Sequence, residues 1–76
     1  MRILISGASG YLGSRLCKAL NKHHHIIALT RNPDKFNHFN EKIADEIIIL
    51  KSFDHNFLEK VIDSKPEIFI HLISLD

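Results

Sequence analysis

Seventy-six residues, 45% of them hydrophobic and 25% charged, allow one domain with a packed core and exclude a disordered or fibrous chain. Ten Lys and Arg against nine Asp and Glu leave a net charge of +1, and with neither a basic block nor an acidic tail, nucleic acid is not an expected partner. No apolar run approaches the roughly 18 to 20 residues of a membrane-spanning helix. The single cysteine, Cys17, cannot form an internal disulfide. The opening Met1-Arg2-Ile3-Leu4-Ile5 gives way to Ser and Gly too soon for a signal peptide, so a cytoplasmic chain with no membrane partner is expected.

Ile3 to Ser6 is a short apolar run stopped by glycine, the pattern of a strand covered on both faces. From Tyr11 the period changes. Leu12, Leu16, Ala19 and Leu20 fall at helical spacing, with Ser14, Arg15, Lys18, Asn21 and Lys22 on the other side, predicting an amphipathic helix to about His23. A second strand follows at Ile26 to Thr30. Asn32-Pro33 sets a good N-cap before a residue suited to a first helical turn and predicts a short helix from Pro33 to about Phe39. Glu46 to Leu50, with three consecutive isoleucines, reads as the third strand. Asp54 then caps a helix with Phe57, Leu58, Val61 and Ile62 on one face, ended by Pro66. Ile68 to Ile73 makes a fourth strand. The alternation of strands and helices implies a parallel sheet with right-handed crossovers, an α/β fold.

The loop Gly7-Ala8-Ser9-Gly10-Tyr11-Leu12-Gly13 lies between the first strand and the first helix, where a phosphate site belongs. Gly7 suits a tight turn, Gly10 lets the main chain approach phosphates, and Gly13 lets helix and strand pack closely. Amides around Tyr11 and Leu12 then face an anion, helped by the helix dipole, and Ser9 offers a hydroxyl donor. The plainer alternative is a structural turn, against which stand the strand before, the helix after and the second strand at the right distance.

The spacing Gly-x-x-Gly-x-x-Gly, in the form Ser6-Gly7-Ala8-Ser9-Gly10-Tyr11-Leu12-Gly13, resembles the extended and atypical short-chain dehydrogenases/reductases, the group containing nucleotide-sugar epimerases and dehydratases. The resemblance extends to Leu29-Thr30-Arg31-Asn32-Pro33 and to Pro66-Glu67-Ile68-Phe69-Ile70-His71-Leu72. It implies a three-layer Rossmann-like half domain, a parallel sheet of four strands in order 3-2-1-4 with helices on both faces. It also implies a dinucleotide, NADP or NAD, bound at the glycine loop. Two positions depart from the family pattern: Ile73 stands where a small alanine is usual, and Lys51 near where an aspartate often contacts the adenine. At the end of the second strand NAD-binding folds usually carry an acidic residue for the ribose hydroxyls, whereas this chain has Arg31. A guanidinium there suits the extra phosphate of NADP, with Asn32 and Lys35 assisting; the alternative is a solvated surface arginine.

The resemblance implies a catalytic Tyr-x-x-x-Lys after the fourth strand, but the only tyrosine is Tyr11 in the loop. Catalysis by this chain alone is not expected. The open edge of the fourth strand predicts self-association or pairing with a second polypeptide. His23-His24-His25 reads as a polar loop rather than a metal site, His71 as a buried, hydrogen-bonded histidine, and Cys17 as a small packed hydrophobe. Three functions stay open: the NADP-binding segment of an oxidoreductase or epimerase-like enzyme, a non-catalytic NADP-binding sensor, and an interaction fragment that binds no cofactor.

Overall fold

The computed structural model describes residues 1–31, 34, 42–50 and 55–72. Within them the order is β1 (Arg2–Ser6), α1 (Tyr11–Leu20), β2 (His25–Thr30), β3 (Glu46–Ile49), α2 (His55–Ser64) and β4 (Ile68–His71). The four strands form one sheet in the order β3-β2-β1-β4, and every pair is parallel. This is the 3-2-1-4 arrangement of a Rossmann-like half domain.

The two central strands, β1 and β2, are buried from both sides. Ile3, Ile5, Ile26 and Ala28 form a cluster with Ala8, Cys17, Ile43 and Ala44, and Leu16 and Leu20 of α1 pack onto it. Alternate residues of β1 and β2 point the other way: Leu4, Ile27 and Leu29, with Ile48 of β3, meet Phe57 and Val61 of α2. A strand with apolar residues on both faces cannot show polar alternation, which is why β1 and β2 read as continuous apolar runs. Ile43 and Ala44, just before β3, belong to the core without lying in any element.

Both helices are rotated from the faces that hydrophobicity alone predicts. In α1 the buried positions are Gly13, Ser14 and Cys17, with Leu16 and Leu20 partly covered, while Leu12 is 63% exposed and Ala19 is exposed. The stripe thus runs through 13, 16, 17 and 20, because Gly13 has to abut the turn after β1. In α2, Phe57 and Val61 face the core whereas Leu58 and Ile62 are exposed, Ile62 at 70%. Phe69, paired with Leu4 and so on the α2 side of the sheet, is exposed as well.

Several boundaries differ from expectation by small amounts. α1 stops at Leu20, three residues short of His23, because the amides of His23 and His24 both turn back to the Leu20 carbonyl. β2 starts one residue early, since the amide of His25 donates to the Met1 carbonyl at 2.9 Å. β3 ends at Ile49 rather than Leu50. α2 ends at Ser64, followed by Lys65 in the left-handed region at φ 50° and then Pro66, a stop signal in two parts. The helix expected from Pro33 to Phe39 and the cap expected at Asp54 fall outside the described residues, as does Ile73 at the end of the expected fourth strand.

The N-terminal end of the sheet is closed by a polar cluster. Arg2 reaches across it, with its Nη2 2.8 Å from Glu46 Oε2 and its Nε donating to the Ser64 carbonyl at 2.7 Å. His25 Nε2 lies 2.8 Å from the same Glu46 oxygen. Glu67 accepts from the Arg2 amide and donates its own amide to the Arg2 carbonyl. The paired side chains of Arg2, His25 and Glu46 are 36 to 42% exposed, so the ion pairs set alignment more than stability, at roughly 0 to 1 kcal/mol each.

Cys17 is fully enclosed under α1, and burial pushes its thiol from 9.0 up to about 11, with a backbone hydrogen bond acting weakly the other way. Between these values the unfolded chain releases a proton that the folded chain retains, so stability present below pH 9 is lost as pH rises towards 11. In urea titrations at pH 8 and pH 10.5, the stability advantage of wild type over Cys17→Ala is expected to shrink at the higher pH. Iodoacetamide is expected to label Cys17 only once the chain unfolds.

Candidate functional site

The C-terminal ends of β1, β2 and β4 converge on the turn that leads into α1. Parallel strands place all these ends on one side of the sheet, so Ser6, Thr30 and His71 surround residues 7–13. The loop is held by backbone and by the lack of side chains. Gly7 takes φ +63°, and a Cβ on it would lie 2.6 Å from the Leu72 carbonyl oxygen. A Cβ on Gly13 would overlap the Gly7 carbonyl oxygen and sit 2.9 Å from Ala8 Cα. Both positions therefore need glycine for the fold itself. Ala8, wholly buried, anchors the loop, and its amide points to the Leu29 carbonyl at 3.4 Å.

Gly10 differs from the other two. It is the N-cap of α1 at φ −71° and ψ 174°, an extended conformation open to any residue, and it is partly exposed. Its own amide donates to the Gly7 carbonyl at 3.1 Å, and its carbonyl accepts from Ser14. With no side chain, Gly10 supplies no side-chain cap to α1. The amides of Tyr11, Leu12 and Gly13 open the helix and have no acceptor within it. No acidic residue occupies this first turn to compete for an anion.

The side chains of Tyr11 and Leu12 are exposed, so these two residues bear on the site through their amides. Arg15 stacks on the Tyr11 ring, 3.6 Å from its centroid, and donates to the Tyr11 carbonyl at 3.3 Å. Ser9 is partly buried and its Oγ accepts from Thr30 Oγ1 at 2.7 Å. Arg31 is exposed at the end of β2, next to Thr30. Asn32, Lys35, Lys51 and Ile73 lie outside the described residues.

Two polar pairs at the site escaped the sequence reading. One is Ser9 with Thr30, joining the loop to β2. The other is Ser6 with His71, whose Oγ and Nδ1 are 2.6 Å apart, while the Leu72 amide donates to Ser6 Oγ at 3.1 Å. The signal was present in the apolar strands: Ser6 and Thr30 are hydroxyls terminating otherwise apolar runs, and both are buried. His71 is hydrogen-bonded as expected but exposed rather than buried, because β4 is an edge strand of the sheet. His23, His24 and His25 diverge: only His25 joins a strand and pairs with Glu46. Among the described residues no three His, Cys, Asp or Glu side chains form a metal-binding group, and no helix is long and apolar enough to cross a membrane.

This architecture is shared with a solved enzyme. The crystal structure of UDP-glucuronic acid 4-epimerase from Bacillus cereus in complex with NAD resembles the chain with a TM-score of 0.67 at 24% identity. The match covers 95% of this chain and 27% of the epimerase, so the chain spans about a quarter of that protein's length. The model of the NAD dependent epimerase/dehydratase family matches residues 3–75, nearly the whole chain, including the glycine loop and all four strands. The chain belongs to the NAD dependent epimerase/dehydratase family.

Proposed function

We propose that this chain binds a nicotinamide dinucleotide, NADP in preference to NAD, with the pyrophosphate on the amides of Tyr11, Leu12 and Gly13. The observation that carries the reading is Gly10. Gly7 and Gly13 are required by contacts within the chain, whereas Gly10 has a backbone conformation that any residue adopts. A glycine at the start of a helix, in a conformation that does not itself require glycine, fits a cradle that a Cβ would fill on ligand approach. The NAD named for the Bacillus cereus epimerase supports the ligand class.

Each residue has a distinct part. The first-turn amides hold the pyrophosphate, Gly10 gives it access, and Ser9 adds a hydroxyl. Arg31, exposed at the end of β2, offers a guanidinium to the ribose 2′-phosphate of NADP, with Asn32 and Lys35 following it in sequence. When bound, the cofactor supplies a hydride acceptor or donor. The chain's own residues bind and orient it, and since the only tyrosine belongs to the loop, no Tyr-x-x-x-Lys pair is available here for proton transfer. The segment is the cofactor-binding part of an oxidoreductase or nucleotide-sugar epimerase/dehydratase-like protein.

Comparing the three glycines tests this directly. Gly10→Ala suits the existing backbone and is expected to leave stability unchanged or raise it by about 0.4 to 1 kcal/mol, yet to abolish NADPH binding in calorimetry. Gly7→Ala and Gly13→Ala are expected to lower the thermal midpoint, each costing about 1 to 3 kcal/mol through left-handed strain or overpacking. Undiminished NADPH binding by Gly10→Ala would refute the reading.

Cofactor choice is tested at Arg31. Loss of one charge-assisted contact lowers affinity about tenfold to a hundredfold. Arg31→Ala is therefore expected to weaken NADPH by that factor and to leave NADH within about twofold. Equal losses for both cofactors would contradict a role at the 2′-phosphate.

A further inference from the structure

Thr30 ends β2 beside the glycine loop and is only 4% exposed. Its hydroxyl donates to Ser9 Oγ across 2.7 Å. A hydroxyl has one hydrogen and two lone pairs. When Ser9 accepts from Thr30, its own hydrogen remains available and is turned away from Thr30. Ser9 directly precedes Gly10, the cap of α1, so a donor at this point adds to those of the opening turn.

Resting on the dinucleotide reading above, we propose that Thr30 is a positioning residue. It holds the Ser9 hydroxyl in one rotamer with its hydrogen directed to the pyrophosphate. Without that contact the side chain of a partly buried loop serine rotates among staggered wells, and binding has to select one of them. The fold of the loop does not depend on the contact. Gly7 and Gly13 are fixed by close backbone approach, and Ala8 is buried with its amide directed at the Leu29 carbonyl. Thr30 and Arg31 are adjacent, so the end of β2 acts on two parts of one ligand: through Ser9 on the pyrophosphate and through Arg31 on the ribose phosphate.

The test is a double-mutant cycle on the full chain, with NADPH as probe in calorimetry and thermal unfolding as a second readout. Thr30→Val keeps the branched shape and removes the hydroxyl; it is expected to weaken NADPH about threefold to tenfold and to leave the thermal midpoint within a few degrees. Thr30→Ser restores the donor and is expected to recover wild-type affinity. In a Ser9→Ala background, Thr30→Val is expected to cause no further loss, because the hydroxyl it positions is already gone. The inference is overturned if Thr30→Val binds NADPH like wild type, if its loss persists in the Ser9→Ala background, or if Thr30→Val does not fold. Failure of wild type to bind NADPH is a different result, which removes the dinucleotide reading and this inference with it.

Discussion

Gly13 on α1 and the Gly7 carbonyl meet at a distance that leaves no room for a Cβ, and the rest of the structure is arranged around that contact. It fixes how α1 rotates about its own axis. Once Gly13 faces the turn, Cys17 and Leu20 one and two turns later must face the sheet, and Leu12 must face out. The same turn presses Gly7 under the Leu72 carbonyl, so the end of β4 is tied to the end of β1 without a side chain between them. Ser6, its hydroxyl shared between His71 and the Leu72 amide, secures this join.

The two ends of the sheet are built for different ends. At the N-terminal end Arg2, His25, Glu46 and Glu67 pair with one another and with backbone. At the C-terminal end the main chain approaches itself closely, and the opening amides of α1 have no acceptor within the helix. A parallel sheet puts every strand-to-helix turn on that second end, which is why the parallel order and the site belong to the same argument.

Much of this is legible in the sequence, where local pattern and tertiary packing agree. The apolar runs of β1 and β2, the glycine spacing between β1 and α1, and Pro66 after α2 each act on a few neighbouring residues. What escaped depends on partners distant in sequence. The inward face of α1 is chosen by Gly13 against Gly7, so Leu12 and Ala19 mislead a reading based on hydrophobicity. In α2 the pairs Phe57/Val61 and Leu58/Ile62 are equally apolar, and only the position of β3 and β2 selects the first. Ile43 and Ala44 carry no period at all, yet both are buried. The polar pairs of Ser9 with Thr30 and Ser6 with His71 join residues 21 and 65 positions apart, separations across which the sequence holds no pairing signal.

The central claim is that amides at the start of α1 receive a phosphate anion, and amide resonances report on that most directly. In a nitrogen–proton correlation spectrum of the labelled chain titrated with NADPH, the Tyr11, Leu12 and Gly13 amides should move together and saturate at one concentration. Saturable movement of other amides while these three stay fixed, or no movement anywhere, would contradict the account.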